Sequence, residues 1–208
     1  MGLARLFDEV LNAEYIHLEE ETASFAYKVV EDELMIFFQW SNGATDWKNN
    51  FDFPAKPYRD MKDKWYAHRG FLRVWKVIEP HLKPYIMSRA YKYITVAGYS
   101  HGAALALLCH EYCTFNRPDA YVSGCGFGCP RVVWGLPNKR VQKRFIGFQV
   151  IRCGCDLVTH LPPAIFGFRH VGYLRKIGQG EGYGPIESHR QESYIEALED
   201  YEREVMRE

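Results

Sequence analysis

Tyr91–Val96 reads as a strand with an apolar end, and it runs directly into Ala97-Gly98-Tyr99-Ser100-His101-Gly102. Ala103–Tyr112 then follows as a long apolar helix. A sharp strand-to-helix turn must join the two, with the pattern G-x-S-x-G at its centre. Such a turn holds the serine in a strained backbone conformation and exposes its hydroxyl. Gly98 and Gly102 carry no side chain to clash with the neighbouring strand and helix. Ala103 and Ala104 continue that small surface, so the helix can lie close to the sheet. Reading Ser100 only as a helix N-cap explains the serine but not the flanking glycines and alanines.

The rest of the chain fits around this unit. Residues 3–13 can form a short amphipathic helix. Ser24–Val30 and Glu33–Trp40 read as strands joined by the turn-like Glu31-Asp32. Trp47–Tyr66 reads as irregular, with Pro54, Pro57 and several large aromatics. Gly70–Ala90 has a helical pattern that Pro80 is expected to bend or divide. Further strands are expected at Tyr121–Phe127, Gln149–Cys153 and Phe168–Ile177, and a closing helix at Glu192–Met206. On that helix Tyr194, Ile195, Leu198, Tyr201 and Val205 recur at helical spacing. Strands alternating with helices predict an α/β fold, a mostly parallel central sheet with helices on both faces. The 208 residues show no repeat, low-complexity run or linker, so one domain over residues 1–208 is expected.

Composition narrows the classes. Lys+Arg and Asp+Glu are both 26, so net charge is zero and no nucleic-acid partner is expected. The N-terminus has no apolar signal region. No stretch approaches the roughly 18 apolar residues of a membrane span, so a cytoplasmic location is expected. The six cysteines should then be reduced. Cys109 and Cys113 share a helix face. Their spacing is not CxxC, and they read as small buried thiols rather than a metal site.

A serine hydroxyl is a poor nucleophile until a base takes its proton. On a sheet of this type the partners follow in the order Ser, Asp/Glu, His. The histidines after Ser100 are His101, His110, His160, His170 and His189. The first two belong to the nucleophile helix and cannot easily fold back. Asp156 follows the strand Gln149–Cys153, at the same sheet edge as the serine. A carboxylate there can orient an imidazole, although a turn residue would also suit the position. The backbone N–H of His101, at the helix N-terminus, can help hold an oxyanion.

Four further segments stand beside the serine turn in order. They are Phe38-Gln39-Trp40-Ser41 with Asp46-Trp47, His68-Arg69-Gly70-Phe71, Phe127-Gly128-Cys129-Pro130-Arg131-Val132, and Asp156-Leu157-Val158-Thr159-His160-Leu161-Pro162-Pro163. Together they resemble the class 3 lipases, the family of the fungal triacylglycerol lipases, over about residues 24–200. The resemblance implies an α/β-hydrolase fold and a carboxylic ester hydrolase that needs no metal or organic cofactor. It implies Ser100, Asp156 and His189 as the catalytic residues, with His170 as a structural histidine and the alternative base. It places Ser41 as second oxyanion donor beside His101, although Gln39 and Trp40 depart from the family pattern. Ser41-Asn42-Gly43 also reads as an ordinary turn.

The segment 48–67 corresponds to a mobile lid, or else to a loop packed over the core. The implied partner is a small ester or a lipid, with transient contact to a lipid interface. Oligomeric state stays open. An acyltransferase or thioesterase with the same triad is the alternative enzyme. A non-catalytic lipid-binding module is the alternative outside enzymes.

Overall fold

The computed structural model of the chain describes residues 1–20, 23–40, 54–58, 64–178 and 184–207. Its strands are β1 (Ile16–His17), β2 (Ser24–Val30), β3 (Glu33–Phe38), β4 (Ala55–Pro57), β5 (Tyr66–His68), β6 (Tyr93–Tyr99), β7 (Tyr121–Phe127), β8 (Val133–Trp134), β9 (Phe148–Cys153), β10 (Phe168–Arg169) and β11 (Tyr173–Ile177). Its α-helices are α1 (Leu3–Asn12), α2 (Arg69–Ile86), α3 (His101–Asn116), α4 (Lys139–Lys143) and α5 (Gln191–Val205).

Among the described residues the main sheet runs β1-β2-β3-β6-β7-β9-β11. Pairing is antiparallel from β1 to β3 and parallel from β3 to β11. Strand β3 explains the layering. Its sequence ELMIFF is apolar at almost every position because both faces are covered. Leu34, Ile36 and Phe38 join the core under α2 and α3, whereas Met35 and Phe37 join the core under α1 and α5. Helix α3 is buried at every residue from His101 to Cys113, as expected of a helix apolar on most of its surface.

Three expectations change. Pro80 does not divide its helix, for α2 continues from Arg69 to Ile86. Pro80 and Pro84 both lie on its exposed face, as does Lys76. The carbonyls that lose a helical donor there belong to Lys76 and Pro80, where water can take them. Meanwhile Ile78, Leu82 and Ile86 keep the opposite face docked.

Phe168–Ile177 is two strands in two sheets. Phe168–Arg169 pairs with β8, and Tyr173–Ile177 with β9. Gly172, with φ +80, makes the break; a side chain there would meet the Phe148 carbonyl oxygen at 2.4 Å.

The region read as irregular holds β4, part of an antiparallel sheet ordered β10-β8-β5-β4. Strands of two or three residues are too short for periodicity to reveal. Within the expected lid, Tyr58 and Trp65 are buried, and the Tyr58 N–H donates to the Trp65 carbonyl at 2.7 Å. The described parts of that segment thus pack into the fold. Residues 48–53 and 59–63 lie outside the described residues.

Candidate active site

The C-terminal ends of β6, β7 and β9 lie side by side, and each delivers part of one cluster. After β6, Ser100 has φ 55 and ψ −120, the left-handed side that a residue with a Cβ rarely adopts. Its N–H donates to the Phe127 carbonyl at the end of β7, 2.8 Å away. The turn tolerates nothing larger than glycine on either side. A Cβ on Gly98 would meet the Gly102 carbonyl oxygen at 2.3 Å, and one on Gly102 the Phe38 carbonyl oxygen at 2.2 Å.

After β7 comes Gly128, with φ +61. A Cβ on it would stand 2.9 Å from the His189 ring and 3.1 Å from the Asp156 carboxylate. That glycine therefore leaves room for the other two side chains to meet.

Asp156 follows β9 and is fully buried. Its Oδ1 accepts the Val158 N–H at 2.8 Å. Its Oδ2 lies 2.8 Å from His189 Nδ1 and accepts the Tyr194 hydroxyl at 2.7 Å. A buried carboxylate is costly unless its lone pairs are satisfied; here three groups satisfy them. His189 ends a short 3-10 turn, Glu187–His189, just before α5. Its other nitrogen, Nε2, lies 2.8 Å from Ser100 Oγ. The structure thus brings Ser100, His189 and Asp156 into one hydrogen-bonded chain, with the histidine side chain 19% exposed.

His101 opens α3 beside Ser100, so its backbone N–H belongs to the first helical turn, where the dipole favours negative charge. Ser41, the other expected oxyanion donor, lies outside the described residues. The strand leading to it passes over the turn, since Phe38 and Gln39 carbonyls crowd Gly102. Trp40 packs edge-on against Tyr15 and Tyr99.

His170 stands elsewhere. Its Nε2–H donates to the Thr159 carbonyl at 2.7 Å. Burial holds its pKa down at about 4, and the charges of Arg131 and Arg152 act in the same direction. Among the described residues, no group of three or more His, Cys, Asp or Glu side chains could hold a metal ion. The Cys109 and Cys113 thiols lie 3.9 Å apart inside α3.

The sequence reading missed two tyrosines. It put Tyr194 on an apolar stripe, yet Ile195 and Val205 of that stripe are exposed, while Tyr194 is fully buried against Asp156. Burial and the Asp156 charge raise the Tyr194 pKa, so its hydroxyl stays a donor. The only signal was a hydroxyl among aliphatic residues on a core helix, which has to find a partner. Tyr99 stacks on the His189 ring at 5.2 Å between centroids and donates its hydroxyl to the His189 carbonyl. Phe7 of α1 packs against both tyrosines.

Comparison with known proteins places the chain in a family. The chain is 29% identical over 150 residues to a lipase of Rhizomucor miehei, covering 68% of this chain and 41% of that protein. It is 27% identical over 144 residues to secreted mono- and diacylglycerol lipase 1 of Fusarium solani, covering 66% of this chain and 42% of that one. The chain therefore spans less than half the length of these curated relatives. Among solved structures, the lipase of Rhizopus microsporus var. chinensis superposes with a TM-score of 0.69 at 22% identity, covering 85% of this chain and 65% of that one. That likeness carries the fold, an α/β-hydrolase fold. The family model for lipase (class 3) matches residues 35–166. This match takes in the serine turn, the Asp156 segment and most of the sheet, and the chain belongs to the class 3 lipase family.

Proposed function

We propose that the protein hydrolyses carboxylic esters of lipids, acylglycerols first among them, through an acyl-enzyme on Ser100. The observation that carries this reading is the chain Ser100 Oγ, His189 Nε2, His189 Nδ1, Asp156 Oδ2, with both links at 2.8 Å. The acylglycerol class is supported by the relatives, one of which is named a mono- and diacylglycerol lipase.

In this reading Ser100 Oγ attacks the ester carbonyl carbon as its proton passes to His189 Nε2. Asp156 holds the imidazole in the tautomer that can accept that proton. The negative charge that develops on the carbonyl oxygen faces the N–H of His101 and, as second donor, that of Ser41. The ester C–O bond then breaks, and His189 returns the proton to the leaving alcohol. A water repeats the sequence: its proton goes to His189, its oxygen attacks the acyl carbon, and Ser100 recovers its hydrogen as the acid departs. One domain over residues 1–208 and a cytoplasmic location complete the proposal. The six free thiols fit a reducing compartment. Among the described residues no helix is long and apolar enough to cross a membrane.

The test is labelling with a fluorophosphonate probe, comparing wild type with Ser100→Ala and His189→Ala. Wild type should label, and neither variant should. Esters of rising acyl length then rank the substrates. A wild type that stays unlabelled both in water and with detergent micelles would defeat the mechanism and leave a lipid-binding module.

A further inference from the structure

The neutral total of 26 cations and 26 anions conceals a division. Residues 120–178 hold nine Lys and Arg and a single acid, Asp156, while the rest of the chain holds 17 and 25. Asp156 is fully buried, so this stretch brings no carboxylate to the surface. Some of its cations are spent inside the fold. Arg144 lies 2.7 Å from the buried Glu111, and Arg131 donates to the Pro162 carbonyl at 3.0 Å. Lys139, Lys143 and Arg169 instead line an open groove of about 820 Å³ together with Leu136, Ile146 and Tyr173. Among the described residues no Asp or Glu lines it.

The groove and its margin carry apolar side chains in water. Leu136 is 76% exposed and Ile146 74%. Beside the groove, next to β8, stand Ile165, 89% exposed, and Phe166, 54% exposed. Two hydrogen bonds hold that segment against the chain leading to Leu136. The Gly135 N–H donates to the Gly167 carbonyl at 2.9 Å, and Trp134 Nε1 donates to the Phe166 carbonyl at 2.9 Å. Exposed apolar tips grouped in this way mark an interaction site. Their alternation with cations fits a surface whose tips enter the acyl boundary while the cations stay level with anionic headgroups. Nucleic acid would use the cations, through its phosphates, but would leave the aliphatic tips in water.

We propose that this surface, between residues 134–146 and 165–173, docks the protein on anionic phospholipid membranes. Lys139, Lys143 and Arg169 meet the phosphates, and Leu136, Ile146, Ile165 and Phe166 enter the lipid. The proposal names where the protein meets a membrane that carries lipid esters, and it rests on the lipid-ester reading for its purpose.

The experiment is vesicle flotation of the full chain carrying Ser100→Ala, so that no lipid is consumed. Vesicles of phosphatidylcholine alone are compared with vesicles that also contain phosphatidylserine. The protein should float with the anionic vesicles only, and less as salt rises. Lys139→Gln, Lys143→Gln and Arg169→Gln together should lower partitioning on the order of 100-fold. Leu136→Ser with Ile165→Ser should also weaken it, while the salt dependence stays. Equal flotation on both vesicles, or a triple variant that floats like its parent at an unchanged melting temperature, overturns the proposal. So does a DNA duplex held as tightly as the anionic vesicles and equally well by the serine variant. Hydrolysis of a soluble short-chain ester separates the two readings. With Ser100 restored, the triple variant should hydrolyse it as wild type does. A wild type that floats but hydrolyses nothing would remove the catalytic reading and leave the docking surface standing.

Discussion

His189 and His170 close on opposite ends of one short turn, residues 156–160. His189 meets the Asp156 side chain, and His170 meets the Thr159 carbonyl. Inside the turn, the Asp156 carbonyl accepts the Thr159 hydroxyl at 2.7 Å and lies 2.9 Å from His160 Nδ1. The two imidazoles are thus held by the same few residues in different chemical company. His189 has a carboxylate behind it and a serine hydroxyl in front, the two partners of a proton relay. Among the described residues His170 has a neutral carbonyl as its hydrogen-bond partner; burial and the two arginines near it hold its pKa down, so a proton is refused. A buried histidine on a carbonyl is a packing element; with a carboxylate and a hydroxyl it becomes a candidate proton carrier.

Asp156→Asn should break the comparison most. It keeps the shape but removes the charge and favours the wrong tautomer, so ester hydrolysis should fall by about four orders of magnitude in kcat. Steady-state kinetics on a soluble ester checks it, and His170→Asn should leave kcat within a few-fold. Tyr194→Phe comes next. It deprives the Asp156 carboxylate of one of its three donors, and a hydrogen bond to a charged group contributes about 1.5–3 kcal/mol. A tenfold or greater loss in kcat with little change in KM is expected, and a KM effect alone would refute it.

The third prediction concerns stability. The folded pKa of His170, about 4, lies below the usual value of 6.5. The unfolded chain therefore binds the extra proton first as pH falls. The stability is full above the unfolded pKa and is lost progressively from about pH 6.5 down to about pH 4. Between pH 7 and pH 5 the loss should be about 2 kcal/mol from this residue. His110, also held down to about 4 by burial, adds a loss of the same sign. Urea unfolding at both pH values should show a shallower pH slope for His170→Asn than for wild type, whereas equal slopes would contradict the burial argument. Tyr99→Phe should have the smallest effect. It keeps the ring on His189 but loses one neutral hydrogen bond of about 1 kcal/mol, so kcat should drop about fivefold. A drop as large as that of Tyr194→Phe would mean that the hold on the His189 backbone matters as much as the support of its carboxylate partner.

Much of this was legible in the residues, and the failures are instructive. Strands β2, β3 and β7 were readable because their apolar runs are bounded by turn residues. The serine turn was readable because its glycines and alanines have a steric purpose that the strand on one side and the helix on the other make plain. The second sheet was not, since two-residue strands such as β8 and β10 carry no periodicity. The division of α2 was a wrong expectation, because a proline says nothing about which side of the helix will face water. The basic surface was hidden by a net charge of zero, which averages a cationic stretch with an anionic remainder.

The sequence by itself determined the local units. It set where a strand must turn sharply into a helix, where both faces of a strand are buried, and that Ser100 sits where a hydroxyl is exposed. Those features depend on neighbours a few residues away, and periods of two and 3.6 report them. Which histidine meets Ser100 was a different question. The residues alone left several candidates open, and only resemblance pointed to His189. The answer needs contacts across 89 residues to Ser100 and 33 to Asp156. No local pattern encodes such a meeting. It was decided when parallel strands placed the ends of β6, β7 and β9 on one edge, and α5, docked through Tyr194, set the turn before it against them.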